Sequence, residues 1–420
     1  MGERATGFFG WRVVAAAFVV AVFGWGLGFY GPPVYLEAVR QARGWPVTLV
    51  SGAVTVHFLV GVVVIANLPA LHRRFGLPQV TLAGAVVLAL GVAGWATAQA
   101  PWQLYAATFL SGAGWPALGA AALNAIVAPW FVRKRPAALS MAYNGASIGG
   151  VIFSPLWVAL IGWFGFPLAA ALVGAVMVGM IAVLAACVLA RTPEGMGQVP
   201  DGEAAGPAGG TAPSEAHGPA PVASLSRDRA FLTLAAGMAL ALFAQIGLLA
   251  HLVSMLVPAL GIQGAGLAAG LATAAAILGR SLVGIFMPPG ADRRLVACAS
   301  LLVQALGCGA LLAADAFGLP LLLAGVVLIG LGIGNATSLP PLVAQAEFAK
   351  ADVARVVAFI VAGAQATYAF APAAFGLLRA TAPEGAVYVA AALVQFAAVA
   401  AYMSGRNASG GRVSLTSALP

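Results

Sequence analysis

From residue 11 to residue 404 the chain is a succession of apolar stretches, each about as long as the hydrocarbon core of a bilayer is thick, cut by short charge clusters and by glycine and proline. A crossing helix needs about 20 predominantly apolar residues. Cutting at the clusters gives twelve stretches: 11–38, 45–70, 78–98, 102–130, 136–163, 167–190, 229–257, 263–287, 294–315, 318–345, 352–379 and 385–404. Lipid offers no water to backbone N–H and C=O groups, so only helices and closed barrels span it. These runs are too long and continuous for the roughly 10-residue alternating strands of a barrel. The predicted fold class is therefore an all-α membrane protein with twelve transmembrane helices. Composition agrees, at 62% hydrophobic and 8% charged, where soluble domains carry about a quarter charged residues.

The longest polar interruption, Thr192 to Ser226, is rich in Gly, Pro, Ala and Ser. Such a segment cannot bury a core and reads as a flexible linker. It divides the chain into a six-helix half (1–190), a cytoplasmic linker (191–228), a second six-helix half (229–404) and a cytoplasmic tail (405–420). With the termini and linker on one side, that side holds sixteen Lys and Arg, among them Arg73, Arg74, Arg133, Lys134, Arg135, Arg293 and Arg294, while the other holds Arg40, Arg43 and Arg379. The positive-inside rule then puts both termini in the cytoplasm; the expected location is a bacterial inner membrane, crossed many times.

The net charge of +8 is spread over these loop clusters and forms no nucleic-acid surface. Cys187, Cys298 and Cys308 sit singly in apolar stretches, so neither a disulfide framework nor a metal site is indicated. No phosphate-binding loop, HExxH or GxSxG motif occurs, and so no cofactor, ATP-driven pump or enzyme is expected.

The two halves repeat weakly. Pro69 and Arg73-Arg74 precede Pro289 and Arg293-Arg294 by 220 residues, Phe23 precedes Phe243 by 220, Gly112 and Gly114 precede Gly330 and Gly332 by 218, and Pro155 precedes Pro372 by 217. Two parallel six-helix repeats joined by a cytoplasmic linker are the plan of a major facilitator transporter. The stretch WFVRKRPAALSMAYNGASIGGVIFSPL (130–156) resembles the loop 4–5 and helix 5 region of the oxalate/formate antiporter and monocarboxylate transporter branch of that superfamily. GRSLVGIFMPPGADRR (279–294) resembles its helix 8, and the resemblance implies that Arg280, with Gly284 four residues on, binds a substrate carboxylate near the midplane between the halves. Two departures accompany it. The superfamily's loop 2–3 box reads LHRRFG, with Arg73 where an acid is expected, while Asp292-Arg293 keeps the equivalent in the second half; Arg73, Arg74, Asp292 and Arg293 are thus the gating candidates. Positions where animal monocarboxylate carriers place a lysine and an aspartate read Pro33 and Ala276, so lactate-type proton symport does not follow.

The residues alone point the same way. An ionisable group at the bilayer centre costs at least about 2.5 kcal/mol on insertion scales and usually serves a function. Arg280 is the one cation predicted there, about 20 Å of helical rise from Arg293-Arg294. The acids lie near helix ends or in loops. A guanidinium matches a carboxylate in bidentate fashion, which makes a small organic anion the simplest substrate. His57 and His251 are the intramembrane groups able to carry a proton, although a lone histidine there equally serves as an interhelical hydrogen-bond donor. Tyr30, Asn124, Asn144, Asn335, Gln365 and Tyr368 are polar candidates for lining the path, each equally able to bridge helices.

The function predicted is secondary transport of a mono- or dicarboxylate by a monomer in the lipid bilayer, as proton symport or anion exchange. Export of neutral or amphipathic drug-like compounds by the same fold is the alternative. A metabolite sensor would need a soluble domain that neither linker nor tail is long enough to form.

Overall fold

The structure is a computed structural model describing residues 8–202, 225–288, 290–383 and 385–414. No strand occurs among the described residues. Eleven helical stretches among the described residues are long and apolar enough to cross a membrane. One of them, Arg229–Phe286, has 58 residues, about 87 Å at 1.5 Å per residue, against a hydrocarbon core of about 30 Å. It breaks at Gly261 (φ 66, ψ 171) and makes two crossings, so the total is the twelve that the sequence predicts.

The first half contains α1 (Gly10–Gly28), α2 (Gly31–Arg43), α3 (Val47–Phe75), α4 (Leu77–Thr97), α5 (Pro101–Gly114), α6 (Ala120–Val127), α7 (Arg135–Phe164) and α8 (Phe166–Leu184). The second contains α9 (Arg229–Phe286), α10 (Arg293–Phe317), α11 (Leu319–Glu347), α12 (Lys350–Tyr368), α13 (Ala371–Thr381) and α14 (Ala386–Ser414). Three crossings are built from two pieces. α1 gives way to α2 at Phe29-Tyr30 just before Pro32-Pro33, α5 and α6 are joined by a 3-10 turn containing Pro116, and α12 gives way to α13 just before Pro372. Proline offers no N–H to the preceding turn, so each break falls where a proline opens the next helical piece, which for Pro116 is the 3-10 turn itself. Pro69, Pro155, Pro340 and Pro341, by contrast, lie inside unbroken helices.

Three antiparallel neighbours are joined by a single glycine in a Gly-x-Pro sequence. Gly76, Gly165 and Gly318 hold φ of 83, 75 and 78 with extended ψ, and the proline two residues on opens the next helix. This backbone region is essentially closed to residues with a Cβ. The chain therefore reverses in one residue.

The described chain falls into two compact units. Residues of 1–45 and 56–210 form the first; residues of 46–55 and 211–420 form the second. The start of α3 thus belongs with the second unit, where Thr55 Oγ1 accepts from the Ala373 N–H at 3.0 Å. In the first unit α1 and α7 approach so closely that a Cβ on Gly145 or Gly149 would strike the carbonyls of Phe18 and Val22. An aromatic core of Tyr35, Trp95, Trp157 and Phe166 lies beside them, with Tyr35 4.9 Å from Trp157. In the second unit a Cβ on Gly330 or Gly334 of α11 would strike the carbonyls of Ala272 and Ala276 of α9.

The internal repeat is visible as matched packing. Gly112 abuts the His57 carbonyl of α3 and Gly114 abuts α4; 218 residues later Gly330 abuts α9 and Gly332 abuts α10. Phe23 pairs with Phe153 at 5.7 Å and 61°, and Phe243 pairs with Phe375 at 6.0 Å and 65°. One part of the predicted correspondence fails. Arg73-Arg74 occupy the last turn of α3, whereas Arg293-Arg294 open α10, so the shared dipeptide is not a shared position. Pro289 lies outside the described residues.

The predicted linker also begins later than expected. Residues 192–202 are ordered on the first unit. Asp201, at φ 65, donates its N–H to the Trp130 carbonyl, and its carboxylate accepts from the N–H groups of Val132, Arg133 and Lys134. Burial pushes this carboxyl up, but the three N–H groups outweigh it and hold it below the ordinary carboxylate value. Residues 203–224 lie outside the described residues.

Candidate functional site

Arg280 is half-buried in the second crossing of α9. The helix ends at Phe286, six residues away or about 9 Å, and α10 opens only at Arg293. The distance of about 20 Å predicted from sequence counts the residues between the two helices as helical rise. Arg280 therefore sits nearer the end of its crossing than expected. Its Nε donates to the Gly334 carbonyl of α11 at 3.0 Å, an oxygen that also accepts from Ser338 Oγ. The close approach of α9 and α11 at Gly334 makes that bond possible, since a Cβ there would press on Arg280 Cβ as well as on Ala276.

Asn335, next along α11, does not join Arg280. It is 3% exposed and lines a small cavity with Ser300 and Gln304 of α10. Gln365 and Tyr368 are half-buried on α12, and Tyr368 packs on the hydrophobic core of the second unit.

His251 is fully buried and bonded at both ring nitrogens, Nε2 to the Pro372 carbonyl at 3.0 Å and Nδ1 to Arg379 Nη1 at 3.3 Å. Arg379 also donates to Ser254 Oγ. A guanidinium can only donate, so Nδ1 accepts and the imidazole is the neutral Nε2–H form. Sequence alone counts Arg379 among the charges of the outer side, at the end of the stretch 352–379. It is a half-buried residue in the last turn of α13.

In the first unit His57 is likewise satisfied at both nitrogens, by Ser111 Oγ at 2.8 Å and the Gly28 carbonyl at 2.9 Å, while Trp95 Nε1 donates to the same Ser111 oxygen. It ties α1, α3 and α5 together. Tyr30 caps α2 at the break in the first crossing, its ring 5.0 Å from Phe29. From there Trp115, Trp25 and Tyr143 continue as edge-to-face or tilted rings. Tyr143 OH accepts from Asn124 Nδ2 at 3.1 Å and donates to the Ala120 carbonyl. Asn124 and Asn144 are exposed on the first unit.

The gating candidates have different surroundings within their own units. Arg73 and Arg74 are exposed, with Arg74 over the Phe75 ring. Asp292 caps α10 by accepting from the Arg294 and Leu295 N–H groups, and its other oxygen pairs with Arg406 at 2.5 Å. Arg293 donates to the Leu342 carbonyl. The buried ion pair belongs to a residue that the sequence presents only as loop charge. Arg294, 1% exposed, meets Glu347 through Nε at 2.7 Å and Nη2 at 2.8 Å, and its remaining donors reach Thr233 Oγ1 and the carbonyls of Tyr402 and Ala230. All five guanidinium N–H groups are used. Only the apolar residues following the Arg-Arg pair hint that one arginine faces inward.

Among the described residues no cluster of His, Cys, Asp or Glu could hold a metal ion. The family profile described as Major Facilitator Superfamily matches residues 14–291. Monocarboxylate transporter 11 of Mus musculus is 30% identical over 177 residues, 40% of this chain and 38% of that protein's length. Among solved structures, a mutant of the nucleoside transporter NupG superposes with a TM-score of 0.69 at 12% identity, covering 94% of this chain and 99% of that one. A bacterial homolog of the human lysosomal transporter Spinster, inward-facing and occupied, gives 0.63 at 16% identity over 97% of both chains. At these identities the structural matches establish the fold.

Proposed function

Because the chain belongs to the Major Facilitator Superfamily, and is a transporter rather than an enzyme, we propose that it moves a small organic anion, a mono- or dicarboxylate, by alternating access. Arg280 carries this reading. A guanidinium kept half-buried inside a crossing segment is rare and usually tied to a task. Its Nε donates to the Gly334 carbonyl, which anchors the side chain to α11, and a guanidinium is the group that meets a carboxylate in bidentate fashion. The partial likeness to a monocarboxylate transporter supports the same substrate class.

Coupling is to a proton or to exchange of a second anion. His251 is the group suited to the first, because a proton added at Nδ1 would set N–H against the Arg379 donor and release it. Tyr30, Asn124, Asn144, Gln365 and Tyr368 offer the further polar contacts along the path. Residues 1–190 and 229–404 move as the two halves, in an inner membrane with both termini cytoplasmic.

Uptake of radiolabelled mono- and dicarboxylates into proteoliposomes, with and without a pH gradient, tests this directly. One acid should accumulate, and Arg280→Gln should reduce its kcat/KM by at least tenfold, equivalent to about 1.4 kcal/mol. If no carboxylate moves, or the variant transports equally well, the anion reading is wrong.

A further inference from the structure

The interior of the second unit holds three amides in series on three helices. Gln395 of α14 is 0% exposed, Gln304 of α10 1% and Asn335 of α11 3%. Gln395 Nε2 donates to Gln304 Oε1 at 3.3 Å. There the chain of bonds stops, because Gln304 Nε2 and Asn335 Oδ1 are both buried without a hydrogen-bond partner. Both residues line one cavity of about 10 Å³ with Ser300, Gly332 and Tyr402. Gly332 keeps it open, since a Cβ there would collide with the Gln304 side chain and the Ser300 carbonyl.

A donor and an acceptor left buried this way each cost about 1–3 kcal/mol, and a polar cavity of about this volume has room for a single water. We propose that this cavity is a binding site for one internal water, which accepts from Gln304 Nε2–H and donates to Asn335 Oδ1, with Ser300 Oγ as the acceptor for its second hydrogen. Ser300 Oγ already donates to the Val296 carbonyl, so what it has left to offer is an acceptor.

Water is favoured over other occupants by the donor set. A sodium ion would meet the Gln304 amide hydrogens, and an apolar ligand would leave both groups unsatisfied. Exchanging the amide ends of Gln304 and Gln395 together would turn a second oxygen into the cavity, and water, being donor as well as acceptor, would serve that arrangement too. The bridge closes a relay from α14 through α10 to α11, one residue from the carbonyl that holds Arg280.

The test is a double-mutant cycle on the purified full chain, read by thermal unfolding in sodium-containing and sodium-free buffer, together with an experimental density map fine enough to show ordered water. Gln304→Leu and Asn335→Leu should each lower the melting midpoint, and the double variant should lose little more than the larger single loss, because either change removes the same bridge. If a leucine variant does not fold, Asn335→Ser and Gln304→Ala complete the cycle. A density peak within hydrogen-bond distance of both side chains is expected. Additive losses, an empty cavity in a map that resolves other buried waters, or a melting midpoint that rises with sodium and loses that dependence in Asn335→Leu would each overturn the proposal.

Discussion

Arginine appears in this protein under two obligations. Arg294 is fully enclosed, and its five donors are distributed over Glu347, a hydroxyl and two carbonyls. Removing one member of such a pair leaves the other charge buried and uncompensated, which costs about 3–5 kcal/mol. Arg294→Leu and Glu347→Leu should therefore each lower the unfolding midpoint sharply, and the double replacement should recover part of the loss. Thermal unfolding of the three variants in the same detergent measures this, and a double variant worse than either single would refute it. Arg280 answers to a different demand, since it is half-buried inside a crossing, where its Nε donates to the Gly334 carbonyl. Its expected signature is a loss of transport with little change in melting. Asp201 makes a third residue-level case. Its folded carboxyl lies below the ordinary value of about 3.9, so its contribution to stability is present above that value and is lost as pH falls through the depressed one. The difference in melting midpoint between wild type and Asp201→Asn should be constant near neutral pH and shrink only in that acid range.

Helices are legible from the sequence to the extent that apolar length decides them. The twelve stretches reappear because a bilayer leaves a long apolar segment no other way to satisfy its backbone. Breaks within a crossing are not legible, because a proline permits either outcome. Pro116 and Pro372 stand at breaks while Pro155 and Pro340 do not. The repeated Gly-x-Pro reversals at Gly76, Gly165 and Gly318 are present in the sequence as a pattern, but the positive φ that gives the pattern its meaning is a property of the backbone. Gly318→Ala forces a Cβ into a strained region and should cost about 1–3 kcal/mol, measured by thermal unfolding. The neighbouring Leu319→Ala leaves the reversal intact and serves as the control, and it should cost less; an equal loss in the two variants would remove backbone strain as the cause.

At the scale of the whole molecule, duplication is readable where it acts through packing and misleading where it does not. Phe23 and Phe243 find matching partners, and the paired glycines of α5 and α11 abut corresponding helices. The Arg-Arg pairs share only spelling, since one closes α3 and the other opens α10. Site residues are legible by type and not by neighbour, because a sequence shows that His251 is apolar-flanked but not that Arg379 folds back upon it. Each unit carries its own core, and the segment predicted to join them is too polar and glycine-rich to bury one. A protease site inserted within 203–224 should therefore be cut without loss of uptake, since the ordered anchor at Asp201 stays with the first unit. Cleavage in inverted and right-side-out vesicles also reads orientation: a cytoplasmic linker is cut only in the inverted ones. Uptake that collapses on cleavage would mean that continuity through this segment couples the halves, and cutting from the outside would reverse the orientation assigned by the charge count.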